Sequence, residues 1–512
     1  MTRLTNSHVV GQSSSCRFPV RLTANRGVRG AGIALALSVL AGCAVGPDYR
    51  APDMLLPTKW AHAGKEHSRD LPKLEAWWTT LGDPILNDLV DEAVASNLDV
   101  AAAKARIREA RASYRQSTGA LFPSLDGSAS GKRSKSSAGS ADAGPGVVGN
   151  QFAAGFDASW ELDIFGANRR AREAARYSAD AAEDDLEDTL VTLIGDVATN
   201  YIEARGYQAR IALASRTAAS QNETADLTRK QFEAGGTSGV DVANATGQAS
   251  STEASIPTLR ISYAAAVHRL SVLLGRDPDA VASRMKKPRR IPHPKAPLPA
   301  GIPADVLVSR PDVRLAERRL AQYTARVGAA EAARYPAISL TGAIGTSARE
   351  IGDLGRNSTL SWSFGPSLSV PIFNAGKLKA AVEVAEAQRD QYFIAYHAAV
   401  LTALEDVENA LVSMRQQRIR VSKLSKSVAN YRRAVKLSRS LYQTGSSSFL
   451  DVLTAERSLY SAEDAMIASQ VQIATAYVSL NKALGGGWNG TLDASKKVVE
   501  DTNTGPHLAK GK

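Results

Sequence analysis

The stretch QFEAGGTSGVDV at 231–242 has a second copy in the same chain, LYQTGSSSFLDV at 441–452. Phe232 falls on Tyr442, Gly235 on Gly445, Ser238 on Ser448, and Asp241-Val242 on Asp451-Val452, all at an offset of 210. The same offset places Leu274-Gly275 on Leu484-Gly485 without a gap. Upstream, Asp99-Val100 matches Asp312-Val313 and Phe122-Pro123 matches Tyr335-Pro336 at offset 213, and Ile164-Phe165 matches Ile372-Phe373 at offset 208. An ordered series of this kind marks a tandem duplication whose period is far longer than that of a solenoid repeat. The copies run over 83–280 and 301–487, joined by a linker at 281–300.

Each copy follows the same grammar. Asp83-Pro84 in the first and Ser309-Arg310-Pro311-Asp312 in the second read as helix starts, with proline in the first turn beside a capping side chain. Alanine-rich helical stretches follow to Phe122 and Arg334, and Pro123 and Pro336 lead into segments of period two. At 361–370, Trp362, Phe364, Leu368 and Val370 share one face, and Ser361, Ser363, Ser367 and Ser369 the other. The partner at 337–345 sets Ile338, Leu340 and Ile344 against Ser339 and Thr341. In the first copy, 152–164 places Phe152, Phe156, Trp160, Leu162 and Ile164 opposite Asp157, Ser159, Glu161 and Asp163; its partner near 124–131 has a weak pattern. The connections 132–150 and 346–360 are rich in glycine, serine and polar residues, as surface loops are. Such strands fit a transmembrane β-barrel, although a soluble sheet with one wet face gives the same periodicity.

A proline-free helical stretch follows each hairpin, 167–234 and 376–444. At 1.5 Å per residue each spans roughly 100 Å, more than a globular core requires. They end at Gly235-Gly236 and Gly445, and returning helices reach Leu274-Gly275 and Leu484-Gly485. Four strands cannot close a barrel, and an open sheet edge is not viable in lipid, so copies of the chain must pool strands. Two copies would supply eight strands filled by side chains, and three would supply twelve around a lumen.

The N-terminus reads as an address. Residues 1–42 carry five arginines and no acid, and the apolar run Ala31–Leu40 suits a signal peptide. The run ends Leu40-Ala41-Gly42-Cys43, which resembles a bacterial lipobox cut before an acylated cysteine. Covalent lipid on Cys43 is the one prosthetic group expected, and alanine at 44 favours sorting to the outer membrane. Residues 43–82 are expected to be an extended, lipidated segment and 488–512 a polar, disordered tail. The net charge of +11 comes from 62 Lys and Arg against 51 Asp and Glu, and loss of the signal lowers it to +6. Arg284, Lys286, Lys287, Arg289, Arg290 and Lys295 of the proline-rich linker account for that remainder. The linker lacks aromatics for stacking on bases, so it reads as a solvated connector rather than a nucleic-acid site. The two cysteines, Cys16 and Cys43, exclude a disulfide-rich scaffold. No HExxH, G-x-S-x-G or P-loop occurs, so an enzyme or metal site is not expected.

Beyond these physical readings, EAWWTTLGDPILNDLVDEAVASNLDVAAAKARIREARA at 75–112 resembles TolC-type outer membrane factors of the OprM/NodT-like lipoprotein branch. So do SWELDIFG at 159–166, GIPADVLVSRPDVRLAERRL at 301–320, YPAISLTGAIG at 335–345, VPIFNAGKLKAA at 370–381, LDVLTAERSL at 450–459 and ALGGGW at 483–488. The resemblance implies an α+β membrane protein that assembles as a homotrimer. It implies a twelve-stranded β-barrel, four strands per chain, continued by a long α-helical periplasmic barrel. It further implies the exit duct of a tripartite efflux pump, with a periplasmic adaptor and an inner-membrane transporter of the proton-driven RND type.

The tips Gly235–Asp241 and Gly445–Asp451 then become the adaptor contact and the closing end. In relatives a leucine and an acid one turn later constrict the pore. Leu450 matches the leucine, but the acid's position holds Thr454, with Arg457 following and Asp451 or Glu456 as substitutes. Alternatively, Leu450 and Asp451 simply cap and pack the turn. Asp157, Glu161 and Asp163 would give the lumen a cation preference, with capping at the strand–helix junction as the alternative for Asp163. A type I protein-secretion channel and a coiled-coil lipoprotein adaptor are the competing functions; the adaptor does not account for the two alternating hairpins.

Overall fold

The structure, a computed structural model, describes residues 44–54, 74–135, 148–294, 304–488, 490, 492–497, 499–502 and 505–508. The signal segment 1–42, Cys43 and Lys295 lie outside the described residues. The first copy comprises α1 (Pro84–Ser96), α2 (Leu98–Gly119), β1 (Ser124–Lys135), β2 (Val148–Leu162), α3 (Ala167–Glu233) and α4 (Gly239–Leu273). The second comprises α5 (Pro311–Ala332), β3 (Ala337–Ala348), β4 (Leu360–Ser369), α6 (Lys377–Gln443) and α7 (Phe449–Ala483).

Local chemistry sets these starts. Asp83 accepts from the Ile85 amide at 3.0 Å, and Pro84 fills the first helical position of α1. Asn97 caps α2 by accepting from the amides of Asp99 and Val100 at 2.8 and 3.1 Å, and its amide nitrogen donates to Leu273 O at 2.8 Å. Arg310 takes the matching place before α5. Its guanidinium donates to Ala483 O at 2.8 Å and pairs with Asp312 at 2.8 Å and Asp406 at 3.2 Å. In both copies the residue that opens a helix also satisfies an orphan carbonyl at the end of the returning helix.

The long helices α3 and α6 contain 67 residues each, roughly 100 Å. The returning helices α4 and α7 contain 35 each, roughly 50 Å, so each long helix outruns its partner. Beyond the reach of α4, α3 is flanked by α2 and α5 and bound to both by charge. Arg106 and Arg111 of α2 pair with Asp185 and Glu183, and Arg314 of α5 pairs with Asp184 and Glu187. The main core lies where these elements meet. Leu86, Leu89, Ile194, Tyr201, Ile202 and Leu270 are fully buried there, each aliphatic worth about 1.5–3 kcal/mol of transfer free energy. A second cluster of Ala225, Ala245, Tyr442, Phe449, Val452 and Leu453 lies towards the helix tips.

The four long strands form one antiparallel sheet in the order β1-β2-β3-β4. Two rows of its register, Leu125–Ala158–Gly342–Phe364 and Gly127–Phe156–Ile344–Trp362, hold one face apolar across all four strands. The strands are longer than the periodicity suggested, and the connections are confined to 136–147 and 349–359. β1 is faint in sequence because glycines stand where its apolar side chains would be. The rings of Phe156 and Phe152 lie over Gly127 and Gly131, where an added Cβ would come within 3.3 Å of each ring. The cross-strand aromatic supplies the packing surface that the glycine lacks.

Three expectations need correction. The segment 43–82 is not wholly extended: Trp77–Leu81 forms a 3-10 turn, and Trp78 stacks on Trp488 with ring centroids 6.2 Å apart. The linker is not merely solvated. Met285 is fully buried, Gln208 donates to its carbonyl at 2.6 Å, buried Arg205 donates to Lys287 O at 2.9 Å, and Arg289 pairs with Asp83 at 3.2 Å. Linker carbonyls thus accept from Gln208 and from one guanidinium nitrogen of Arg205, both on α3 at the main core. The tail is not without order, since Val499–Thr502 pairs with Gly505–Leu508 as an antiparallel hairpin.

Candidate functional site

Two surfaces bear on function: the polar face of the sheet and the tips of the long hairpins. On the sheet, Asp157 and Glu161 are exposed on the polar face, in line with Ser159. Asp157 stands directly opposite Asp126 of β1, an acid that the weak pattern of that strand concealed, and opposite Ala343 of β3. Asp163 does not join the lumen acids; it takes the alternative read for it, capping and ion pairing at the strand–helix junction. Its carboxylate accepts from the amides of Asn168 and Arg169 at 3.0 and 2.7 Å and pairs with the Arg169 guanidinium at 3.3 Å. Gly166 precedes α3 without a capping side chain, so Asp163 serves the orphan amides of that helix.

The opposite face of the sheet is apolar and uncovered. Trp362, Phe364, Leu368, Leu125 and Phe156 are exposed by 58–76%. At the helix end of the strands, Phe122, Ile372 and Phe373 are also exposed, and Phe165 stacks on Tyr335 with centroids 4.8 Å apart. A continuous apolar band with aromatics at one margin is the surface that lipid covers. No helix among the described residues is long and apolar enough to cross a membrane.

The tips are near duplicates. Gly235 and Gly445 adopt φ of +76° and +73°, closing α3 and α6 in the left-handed conformation that glycine tolerates best. Asp241 accepts from Thr237 Oγ1 at 2.7 Å, Ser238 Oγ at 2.8 Å and the Ser238 amide at 3.2 Å. Asp451 accepts from Ser447 Oγ, Ser448 Oγ and the Ser448 amide at 2.7, 3.0 and 3.2 Å. These hydrogen bonds favour the charged form, so hydroxyls of Thr237 and Ser238, and of Ser447 and Ser448, draw the two carboxyls below the usual range. Asp451 is therefore a helix cap.

Leu450, Thr454 and Arg457 are exposed along one face of α7 at helical spacing. Glu456 faces the other way and is corrected as a stand-in for the missing acid. It is buried, with Arg439 at 2.6 Å and Thr224 Oγ1 at 3.2 Å, and it ties α7 to α6 and α3. Bidentate Arg210–Asp464 at 2.7 and 2.9 Å adds a second tie between α3 and α7. Among the described residues no cluster of His, Cys, Asp or Glu could hold a metal ion.

A family profile described as outer membrane efflux protein matches residues 89–276 and 302–486. Nodulation protein T of Rhizobium leguminosarum bv. trifolii is 36% identical over 459 residues, covering 88% of this chain and 96% of that protein. The solvent efflux pump outer membrane protein SrpC of Pseudomonas putida is 34% identical over 470 residues, covering 89% and 97%. Among solved structures, the outer-membrane channel OprN superposes with a TM-score of 0.81 at 35% identity, covering 87% of this chain and 100% of that one. The open state of the Neisseria gonorrhoeae MtrE outer membrane channel gives 0.74 at 32% identity, covering 87% and 98%.

Proposed function

Because the chain belongs to the outer membrane efflux protein family and is an outer-membrane exit channel for efflux, we propose that three copies close a twelve-stranded barrel continued by a tube of long helices. The carrying observation is a four-stranded sheet with an uncovered apolar face and two unpaired edges, β1 and β4. Unpaired edges are untenable in lipid, and twelve strands enclose a lumen where four or eight do not. The polar sheet face lines that lumen, and solutes pass without any chemistry by the channel. Energy comes from an inner-membrane transporter of the RND type, reached through an adaptor that meets the tips at Gly235–Asp241 and Gly445–Asp451. Relatives are named for solvent and cation efflux, so the cargo here is a small molecule or ion set by the transporter.

Lipid on Cys43 completes the anchor. The Val45 amide donates to Phe165 O at 3.1 Å, and Arg170 donates to Gly46 O at 3.3 Å and pairs with Asp48 at 2.7 Å. Residue 44 thereby lies beside the junction of β2 and α3, which in the barrel reading is the periplasmic surface of the outer membrane, the level at which a lipid anchor inserts. The test is purification of the full chain from outer membranes, followed by a heat-modifiable trimer on gels and single-channel recording in planar bilayers. A monomer with no conductance would refute the assembly.

A further inference from the structure

The outward face of the sheet ends in cations, and their height matches one lipid surface. On β3, Ile338 to Ala348 is ten residue-to-residue steps, about 33 Å of strand, which at a tilt of about 40° stands about 25 Å, the height of an outer-membrane apolar band. Ala348 pairs with Phe152, and Phe152 pairs with Gly131, so this row is the upper edge of the band. Arg133 and Lys135 lie on the same face of β1, one and two pleats farther on, opposite Asn150 and Val148. Both are exposed, and neither has an ion-pair partner among the described residues. Arg349 follows Ala348 directly at the same level, beside Glu350, while Asp353 is paired with Arg356 at 2.8 Å. The opposite margin of the band carries the aromatics Phe122, Phe165, Tyr335 and Phe373 instead.

Charge placed outward at that height meets headgroups rather than the lumen. We infer that Arg133 and Lys135 form a docking surface for the phosphates of lipopolysaccharide in the outer leaflet. The inference rests on the barrel reading above. Arginine grips a phosphate through two parallel donors, lysine adds a point charge, and both long stems can lie along the apolar strand face. Lys132, one residue away, belongs to the lumen face with Asp126 and serves as the internal control.

The experiment titrates the full-length trimer in detergent with fluorescent lipid A, in phosphorylated and dephosphorylated forms. The R133Q/K135Q double variant is expected to bind phosphorylated lipid A about thirtyfold more weakly than the parent. The parent should lose a similar factor on dephosphorylated lipid A, and K132Q should bind as the parent does. Equal binding by the double variant, an equal loss in K132Q, or indifference to the phosphates would overturn the proposal. Conductance recorded on the same samples separates the two readings, since failure of the barrel removes conductance in every sample and failure of the lipid surface leaves it intact.

Discussion

The two long helices have the same length and the same place in their repeats, yet α3 buries more than twice as many side chains as α6. Among the described residues α3 packs against α1, α2, α4, α5 and α7, whereas α6 packs mainly against α5 and α7. Val384, Phe393, Ile394, Leu401 and Leu437 of α6 are left exposed as a result. Duplication preserved length and caps, which are local properties. Burial depends on neighbours, and the second copy has fewer because its outer neighbours belong to other subunits in the proposed trimer.

The strongest way to break this comparison is on α6. Ile394→Glu with Leu401→Glu, one face of the helix seven residues apart, should abolish the trimer while leaving the helical circular dichroism of the chain intact. A surviving trimer would mean that this face is not an interface. The two helix-opening clamps come next. Arg310→Ala strands Asp312, Asp406 and Ala483 O and should cost about 3 kcal/mol, against about 1–2 kcal/mol for Asn97→Ala. Thermal unfolding of the two variants in detergent measures the difference, and equal losses would mean that the second repeat gained nothing from its cation.

The tips differ where their caps do not. Leu450, Thr454 and Arg457 of the second correspond to Val240, Asn244 and Gly247 of the first. If the second tip lines the constriction, Leu450→Ala should raise single-channel conductance severalfold, and Val240→Ala should leave it unchanged. Equal responses would remove Leu450 as a gate. The smallest effect is common to both tips. Asp241 and Asp451 have carboxyl pKa values drawn below the ordinary range, so their stabilisation is present above about pH 4 and is lost as pH falls through the folded values. Amide exchange at 237–241 and 447–451, corrected for intrinsic rate, should therefore increase on acidification. Asp241→Asn and Asp451→Asn should each flatten the response at their own tip alone.

How far the fold and site could be read ahead of the structure depended on the range of the interaction. The tip motif was legible because a capping box and a left-handed glycine are encoded close together in the chain. Asp157 and Glu161 were legible through alternation in β2. Asp126 was not, because glycines break the pattern of β1 and the rings that compensate for them belong to the next strand. Asp163 fits the same alternation but is diverted by orphan amides of α3, which no period of two can register. Glu456 stands close to Thr454 in the sequence, yet only packing against Arg439 and Thr224 turns its role inward.

By itself the sequence determined the duplication, the alternation of three of the four strands, the length of the helices and the residues that start and stop them. Those features rest on backbone geometry, hydrophobic period and hydrogen bonds closed within a few residues. Only the tertiary structure decided that Asp126 joins the acids of the polar sheet face and Asp163 leaves them, that the basic linker is bound into the core, and that one long helix is interior while its twin is exposed. Each of those outcomes turns on which distant groups meet, and a buried polar atom takes whichever partner the fold brings within reach.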